Sequence, residues 1–153
     1  MPDVFISYSV QDEKLARFVR DHLLHQKLDV FLASISLEAG HKWTPQIFQA
    51  LKESKWVFFL ASECALKSNN VQQELGAALI TEKKIVPIMW DIEPSQLPVW
   101  ISQYQGLCLK GQPMDNIRSQ VATLSAKVKA DKIQGMWVAG AMLAGIFYLL
   151  SKQ

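Results

Sequence analysis

Apolar and polar residues are grouped along the chain in blocks whose period switches from strand-like to helix-like and back. Residues 3–8 hold the apolar run Val4, Phe5 and Ile6 between polar neighbours, which predicts a buried first strand. Ser9, with Asp12 three positions on, has the form of a capping-box start. Leu15, Phe18, Val19, His22 and Leu23 then recur at helical spacing. Residues 28–32 predict the second strand, and the polar stretch 33–43, with Gly40 inside it, predicts a loop. Thr44-Pro45 marks the next helix start, with Ile47, Phe48 and Leu51 as its inner face. Residues 56–61, WVFFLA, are apolar without alternation, as expected of a central strand buried on both faces. Residues 68–70 offer cap chemistry for a third helix striped by Val71, Leu75, Ala78 and Leu79. Residues 85–90 predict a fourth strand with Pro87 near its start. After the Pro-containing connection 91–98, residues 107–109 predict a weak edge strand. Ile117, Val121, Leu124 and Val128 space out a last amphipathic helix. Strand and helix thus alternate as in a parallel α/β sheet covered on both faces.

The pattern then changes. Residues 136–150, MWVAGAMLAGIFYLL, carry no charge. As a helix they rise roughly 22 Å, and roughly 27 Å from Ile133, which approaches the hydrocarbon thickness of a bilayer. Trp137 and Tyr148 lie near the two ends, and Lys132 and Lys152 bracket the run where they can snorkel. A short membrane span is one expectation; burial of an all-apolar helix in an oligomer is the other. Gly140 with Ala144, and Ala141 with Gly145, are small-xxx-small pairs that allow close helix approach. The expected organisation is one globular head, residues 1–131, and a C-terminal hydrophobic helix, residues 132–153.

Bulk charge narrows the function classes. The net charge is +2, from 16 basic and 14 acidic residues mixed along the chain, so nucleic acid is not an expected partner. Cys64 and Cys108 stand far apart and in no CxxC pattern, which fits neither a disulfide framework nor a zinc site, and no metal is expected. The first residues lack a basic region followed by an apolar one, so no secretory signal is read there. Lys127, Lys129 and Lys132 before the apolar run, against Lys152 after it, agree with a cytoplasmic head.

In a doubly wound sheet, ligands bind beyond the carboxyl ends of the strands. The loops there hold Ser7-Tyr8-Ser9, residues 34–43 and residues 62–70, and Glu74 lies one turn into the helix after the last of them. Taken alone, Glu74 is equally a charge favoured by the helix dipole. The segments DVFISYSVQD (3–12), DVFLASISLEAGHKW (29–43), SNNVQQELGAAL (68–79) and KKIVPIMWDIEPSQLP (83–98), in this order, resemble the successive motif boxes of the TIR domain family.

That resemblance implies a flavodoxin-like, five-stranded parallel sheet with helices on both faces. It also implies one of two functions: an adaptor that binds other TIR domains, or an enzyme that splits the nicotinamide–ribose bond of NAD+ into nicotinamide and ADP-ribose or a cyclic product. No cofactor is implied, because NAD+ is the substrate. The resemblance places the single carboxylate of the enzymatic members at Glu74. Asn70 and Val71 stand where many members have a Trp-Cys pair. Tyr8, Ser9, Ser34 and Trp43 are the expected substrate-binding residues. For three of them there is a structural alternative: a helix cap for Ser9, a strand-end anchor for Tyr8, a packed cover for Trp43. His22 and His25 fall on or beside a helix and are read as structural or solvated. The loop containing Leu37, Glu38, Gly40 and His41 is, by the same resemblance, the self-association loop. Membrane clustering through 136–150 would raise the local concentration of heads. The expected setting is immune or antiphage defence. A membrane-disrupting effector controlled by TIR assembly is a further alternative.

Overall fold

The computed structural model describes residues 1–35, 45–67, 76 and 83–151; the side chains of residues 34, 35, 100 and 137–151 lie outside that description. Five parallel strands, β1 (Val4–Ser9), β2 (Val30–Ile35), β3 (Trp56–Ala61), β4 (Lys84–Met89) and β5 (Leu107–Cys108), form one sheet in the order β2-β1-β3-β4-β5. This is the flavodoxin-like order, with its switch point between β1 and β3. β3 is central and buried along its length, as its unbroken apolar run requires.

Among the described residues the α-helices are α1 (Glu13–His25), α2 (Pro45–Glu53), α3 (Glu63–Leu66), α4 (Val99–Ser102) and α5 (Met114–Ser151), besides the helical Gly76. Alternate strand residues feed two cores. Val4, Ile6 and Tyr8 of β1, with Trp56, Phe58 and Leu60 of β3, pack on Leu15, Val19 and Leu23 of α1 and on Ile117, Val121 and Val128 of α5. Phe5, Val57 and Phe59 turn the other way, towards Ala50 and Leu51 of α2, Ala65 of α3 and Ile101 of α4. The four residues predicted to stripe the last helix, Ile117, Val121, Leu124 and Val128, are all buried.

Several expectations are corrected. Leu28 does not begin β2. It closes α1, where the N–H of Leu28 bonds the carbonyl of Leu23 and that of Lys27 the carbonyl of Leu24, with Lys27 at φ 58°. This is a Schellman stop with its buried apolar residue, which mimics the start of a strand in sequence. β2 instead runs into the expected loop, because Ser34 and Ile35 pair with Tyr8 and Ser9 of β1. Ser9 makes no side-chain cap; Val10–Asp12 form a 3-10 turn before α1. Phe48 is 54% exposed, since Leu51 and Ala50 take the inner face of α2 and Phe48 lies off that stripe. α3 was not expected: one turn is too short to show a period.

β5 joins β4 only at Ile88 and Met89, beyond Pro87. A Cβ on Gly106 would lie 2.2 Å from the Pro87 carbonyl oxygen, so the chain can approach here only as glycine. α5 is one unbroken helix through the position expected to divide head from tail. Among the described residues no helix is long and apolar enough to cross a membrane. Of the expected span, residues 136–150, the side chains of 137–150 lie outside them, as does most of the expected third helix, of which Gly76 is described and helical.

Candidate functional site

The carboxyl ends of β1, β3 and β4 meet at the switch point, and the loops that leave them supply the polar groups found there. Each loop places one or two side chains immediately after a strand: Gln11 and Asp12 after β1, Ser62 after β3, Asp91 after β4. They converge on α3. Ser62 donates its hydroxyl proton to Asp12 Oδ2, and its oxygen accepts the N–H of Ala65 at 3.0 Å, capping the helix. The N–H of Glu63 bonds Asp91 Oδ1 at 3.0 Å, and Cys64 Sγ lies 2.7 Å from Gln11 Oε1.

The electrostatics of this end are only partly relieved. Burial pushes the Asp12 carboxyl above its ordinary value and the nearby charge of Asp91 pushes it further, while the Ser62 hydrogen bond pulls back only in part. Asp12 also borders a groove of about 370 Å³ against Phe18 of α1, Trp90 and Met114. Trp90, at the end of β4, is 39% exposed. Ser9 is 1% exposed, and its Oγ has no hydrogen-bond partner among the described residues. A buried hydroxyl left without a partner costs free energy, so its retention at a strand's carboxyl end marks a position where a bound polar group would find a donor.

Of the residues read from the sequence, Tyr8 and Ser9 stand at this end of β1, both buried, with Tyr8 packed in the α1–α5 core. Ser34 is beside Tyr8 in the ladder. Trp43, Glu74, Leu37, Glu38, Gly40 and His41 lie outside the described residues. Asp12, Ser62 and Asp91 were missed as a group. Asp12 was read as half of a helix cap, and the signal that unites the three is that each follows a strand end. Among the described residues no group of three or more His, Cys, Asp or Glu side chains is placed to hold a metal ion.

Comparison with known proteins agrees with this architecture. The family described as TIR domain matches residues 4–124. A curated relative from Brachypodium distachyon, the probable 2' cyclic ADP-D-ribose synthase BdTIR, is 31% identical over 97 residues, which cover 62% of this chain and 43% of the relative. The chain therefore spans less than half the length of that relative. Among solved structures, the TIR domain of the Toll-related receptor TRR-2 from Hydra magnipapillata superposes with a TM-score of 0.65 at 17% identity, covering 84% of this chain and 99% of that one. The TIR domains of the activated Roq1 resistosome, which recognises the pathogen effector XopQ, give 0.56 at 18% identity, over 85% and 82% of the two chains. A TIR-STING receptor from C. gigas, in complex with 2',3'-cGAMP, gives 0.57 at 19%, over 80% and 40%. At these identities the structures share the fold.

Proposed function

Because the chain belongs to the TIR domain family, we propose that it cleaves the nicotinamide–ribose bond of NAD+, with Glu74 as the group that meets the substrate. The observation that carries this reading is the 31% identity over 97 residues to a relative named as a probable 2' cyclic ADP-D-ribose synthase. Glu74 lies in the segment 68–79 whose resemblance assigns it this part, two residues before the helical Gly76.

One carboxylate meets the chemical need. Ordinary glycosidases use a second carboxyl to protonate a poor leaving group, whereas nicotinamide in NAD+ is already cationic and departs as a neutral base. Glu74 then holds the ribose hydroxyls and stabilises the oxocarbenium-like transition state, a contribution that grows where water is excluded. Tyr8, Ser9, Ser34 and Trp43 line the nucleotide, and the unpartnered Ser9 hydroxyl supports that role for Ser9. Self-association through the loop of Leu37, Glu38, Gly40 and His41 brings the site into its active form. The Roq1 structure, whose TIR domains belong to a resistosome, supports assembly. A cytoplasmic head tethered to lipid through residues 136–150 rests on their sequence alone, and a role in defence on family likeness. The tether is tested by deleting residues 135–153: unchanged membrane fractionation removes it.

The central experiment measures nicotinamide release from NAD+ by the full-length protein at high local concentration, beside Glu74→Ala, with the nucleotide products resolved by chromatography. Release is expected from the wild type and not from the variant, and ADP-ribose against a cyclic product decides hydrolysis or cyclisation. Release that survives in Glu74→Ala sinks the assignment. A second reading, a non-enzymatic scaffold for other TIR domains, is favoured by Asn70 and Val71 at the positions of the usual Trp-Cys pair. An assembled wild type that releases nothing puts it first.

A further inference from the structure

We propose that the outer edge of β2 is a self-association surface, on which β2 of a second copy of this chain adds antiparallel about a two-fold axis at Leu32. The inference goes beyond NAD+ cleavage and does not rest on it. A sheet edge presents a row of backbone donors and acceptors, and proteins blunt such edges by keeping them short or by placing charges and prolines along them. The two edges of this sheet differ in that respect. β5 is two residues long, and Gly106 just before it is pressed on the Pro87 carbonyl. β2 is six residues long and reads VFLASI, with neither charge nor proline, and among the described residues no strand pairs with its outer side.

The N–H of Val4 bonds the carbonyl of Asp29, with Val4 in register with Val30. Backbone direction alternates along a strand. Phe31 and Ala33 therefore turn their N–H and C=O groups to β1, and Val30, Leu32 and Ser34 turn theirs outward. There is room beyond them. α1 and α2 pack on opposite faces of the sheet. A groove of about 630 Å³ touches Leu24 of α1, Val30 and Phe31 of β2, and Gln46, Gln49 and Glu53 of α2, so it opens at the edge. Leu24 is 49% exposed, and Val30, Phe31 and Leu32 are only partly buried against the two cores.

Register selects a second copy as the occupant. The outward groups lie at positions 30, 32 and 34, symmetric about Leu32. Facing residues of this kind exchange two hydrogen bonds in an antiparallel pair. An axis at Leu32 sets Leu32 opposite Leu32, and Val30 opposite Ser34 on each side of it, which satisfies the outward groups of both strands with about six bonds. The same register sets Asp29 opposite Ile35, so the carboxylates that flank the strands do not face each other. Leu32 meets its own copy across the axis, an apolar cross-strand pair of the kind that stabilises a sheet.

The test uses the full chain carrying Cys64→Ser and Cys108→Ser, which removes its two thiols. In that background Leu32→Cys, Val30→Cys and Phe31→Cys are each oxidised mildly. Facing residues of a bonded antiparallel pair stand about 5.5 Å apart at Cα, within disulfide reach, so Leu32→Cys is expected to give a covalent dimer. Val30→Cys and Phe31→Cys, which oppose positions 34 and 33, are expected to give none alone, and Val30→Cys mixed with Ser34→Cys to give the mixed dimer. In the wild type, amide exchange at Val30 and Leu32 is expected to slow as protein concentration rises, while that at Phe31 is slow throughout. Leu32→Pro removes the central donors and leaves the β1 ladder whole, as an outward proline on an edge strand does. It should raise the concentration at which Val30 becomes protected by about 10-fold or more, for two lost hydrogen bonds.

Equal covalent dimer from Leu32→Cys and Phe31→Cys overturns the proposal. So does exchange at Val30 and Leu32 that is the same at every concentration: a fast rate leaves the edge unpaired, and a slow one means that the chain covers it within one copy. A folded Leu32→Pro that protects Val30 at the wild-type concentration overturns it equally. Should Leu32→Pro fail to fold, the wild-type exchange and the cross-linking pattern decide.

Discussion

The two ends of the sheet follow opposite electrostatic plans. At the amino end, Asp131 of α5 accepts the indole N–H of Trp56 at 3.0 Å and pairs with Lys84 at 2.9 Å and Lys55 at 3.1 Å. The next residue, Lys132, reaches Asp3 at 2.9 Å, and the same Asp3 oxygen accepts the N–H of Asp29. Lys84 also lies 5.0 Å from the centre of the Trp56 ring. Burial raises the Asp131 carboxyl, but the hydrogen bonds from Lys84, Trp56 and Lys55 outweigh it and hold it down at about 2. At the carboxyl end, Asp12 is pushed up by burial and by Asp91, and the Ser9 hydroxyl is buried without a partner among the described residues. One end has its charges matched, which stabilises the fold and pins α5 to the first residues of β3 and β4. The other keeps polar groups in arrangements that cost stability, as sites for chemistry do.

The comparison breaks first on activity. Glu74→Ala is expected to cost about 10²-fold or more in nicotinamide release while leaving thermal unfolding within a degree or two of the wild type. Asp131→Ala, at the other end, is expected to leave release per folded head unchanged. A loss of release in Asp131→Ala at full folded content would show that the amino end also serves the reaction.

Stability is expected to show the reverse. Asp131→Ala strands the Trp56 indole N–H and two ammonium groups, and should cost about 2 kcal/mol in urea unfolding at constant m. Partial exposure of the lysines keeps the figure at the low end for an ion-pair cluster. Ser9→Ala should act in the opposite direction, stabilising by about 1 kcal/mol because a buried hydroxyl without a partner is removed, and raising KM for NAD+ if that hydroxyl meets the nucleotide. A destabilised Ser9→Ala would show that the hydroxyl is satisfied in solution and take away its part in the contrast.

The stabilising end was less legible in the sequence than the fold it supports. Period and composition found all five strands and, among the described helices, those long enough to show a stripe, because burial on one face forces the 3.6-residue pattern of Ile117, Val121, Leu124 and Val128 and burial on both faces forces the unbroken run at 56–61. They could not find α3, whose four residues hold no full period, nor place the start of β2, where a buried helix-closing Leu28 looks like a strand residue. Asp131 and Lys84 are 47 positions apart, and Asp12 and Ser62 are 50 apart. Pairs at that separation are set by strand order, which local pattern does not encode. Ser9 was visible as a residue of interest, but its lack of a partner is a property of the packed site alone.

The smallest effect separates the two ends by sign. Asp131 has a folded-state pKa of about 2, below its ordinary 3.8, so it binds its proton less readily when folded. Its stabilisation is present above pH 3.8 and is lost as pH falls from there towards 2. Asp12 is raised from 3.8, so its contribution is greatest below that value and is lost as pH rises through its folded-state pKa. At neutral pH the charged form of Asp12 is therefore a net cost. Asp12→Asn keeps an acceptor for Ser62 without that charge, and should be more stable than the wild type at pH 7 by an amount that shrinks as pH falls through the carboxylate range. Asp131→Asn should be less stable at pH 7, with its deficit also closing towards pH 2. Urea midpoints taken from pH 7 down to pH 3 give both differences. Opposite signs at pH 7 keep the contrast between the ends; an Asp12→Asn variant less stable than the wild type at pH 7 would mean that the charge at Asp12 is compensated, and the carboxyl end is then no more strained than the amino end.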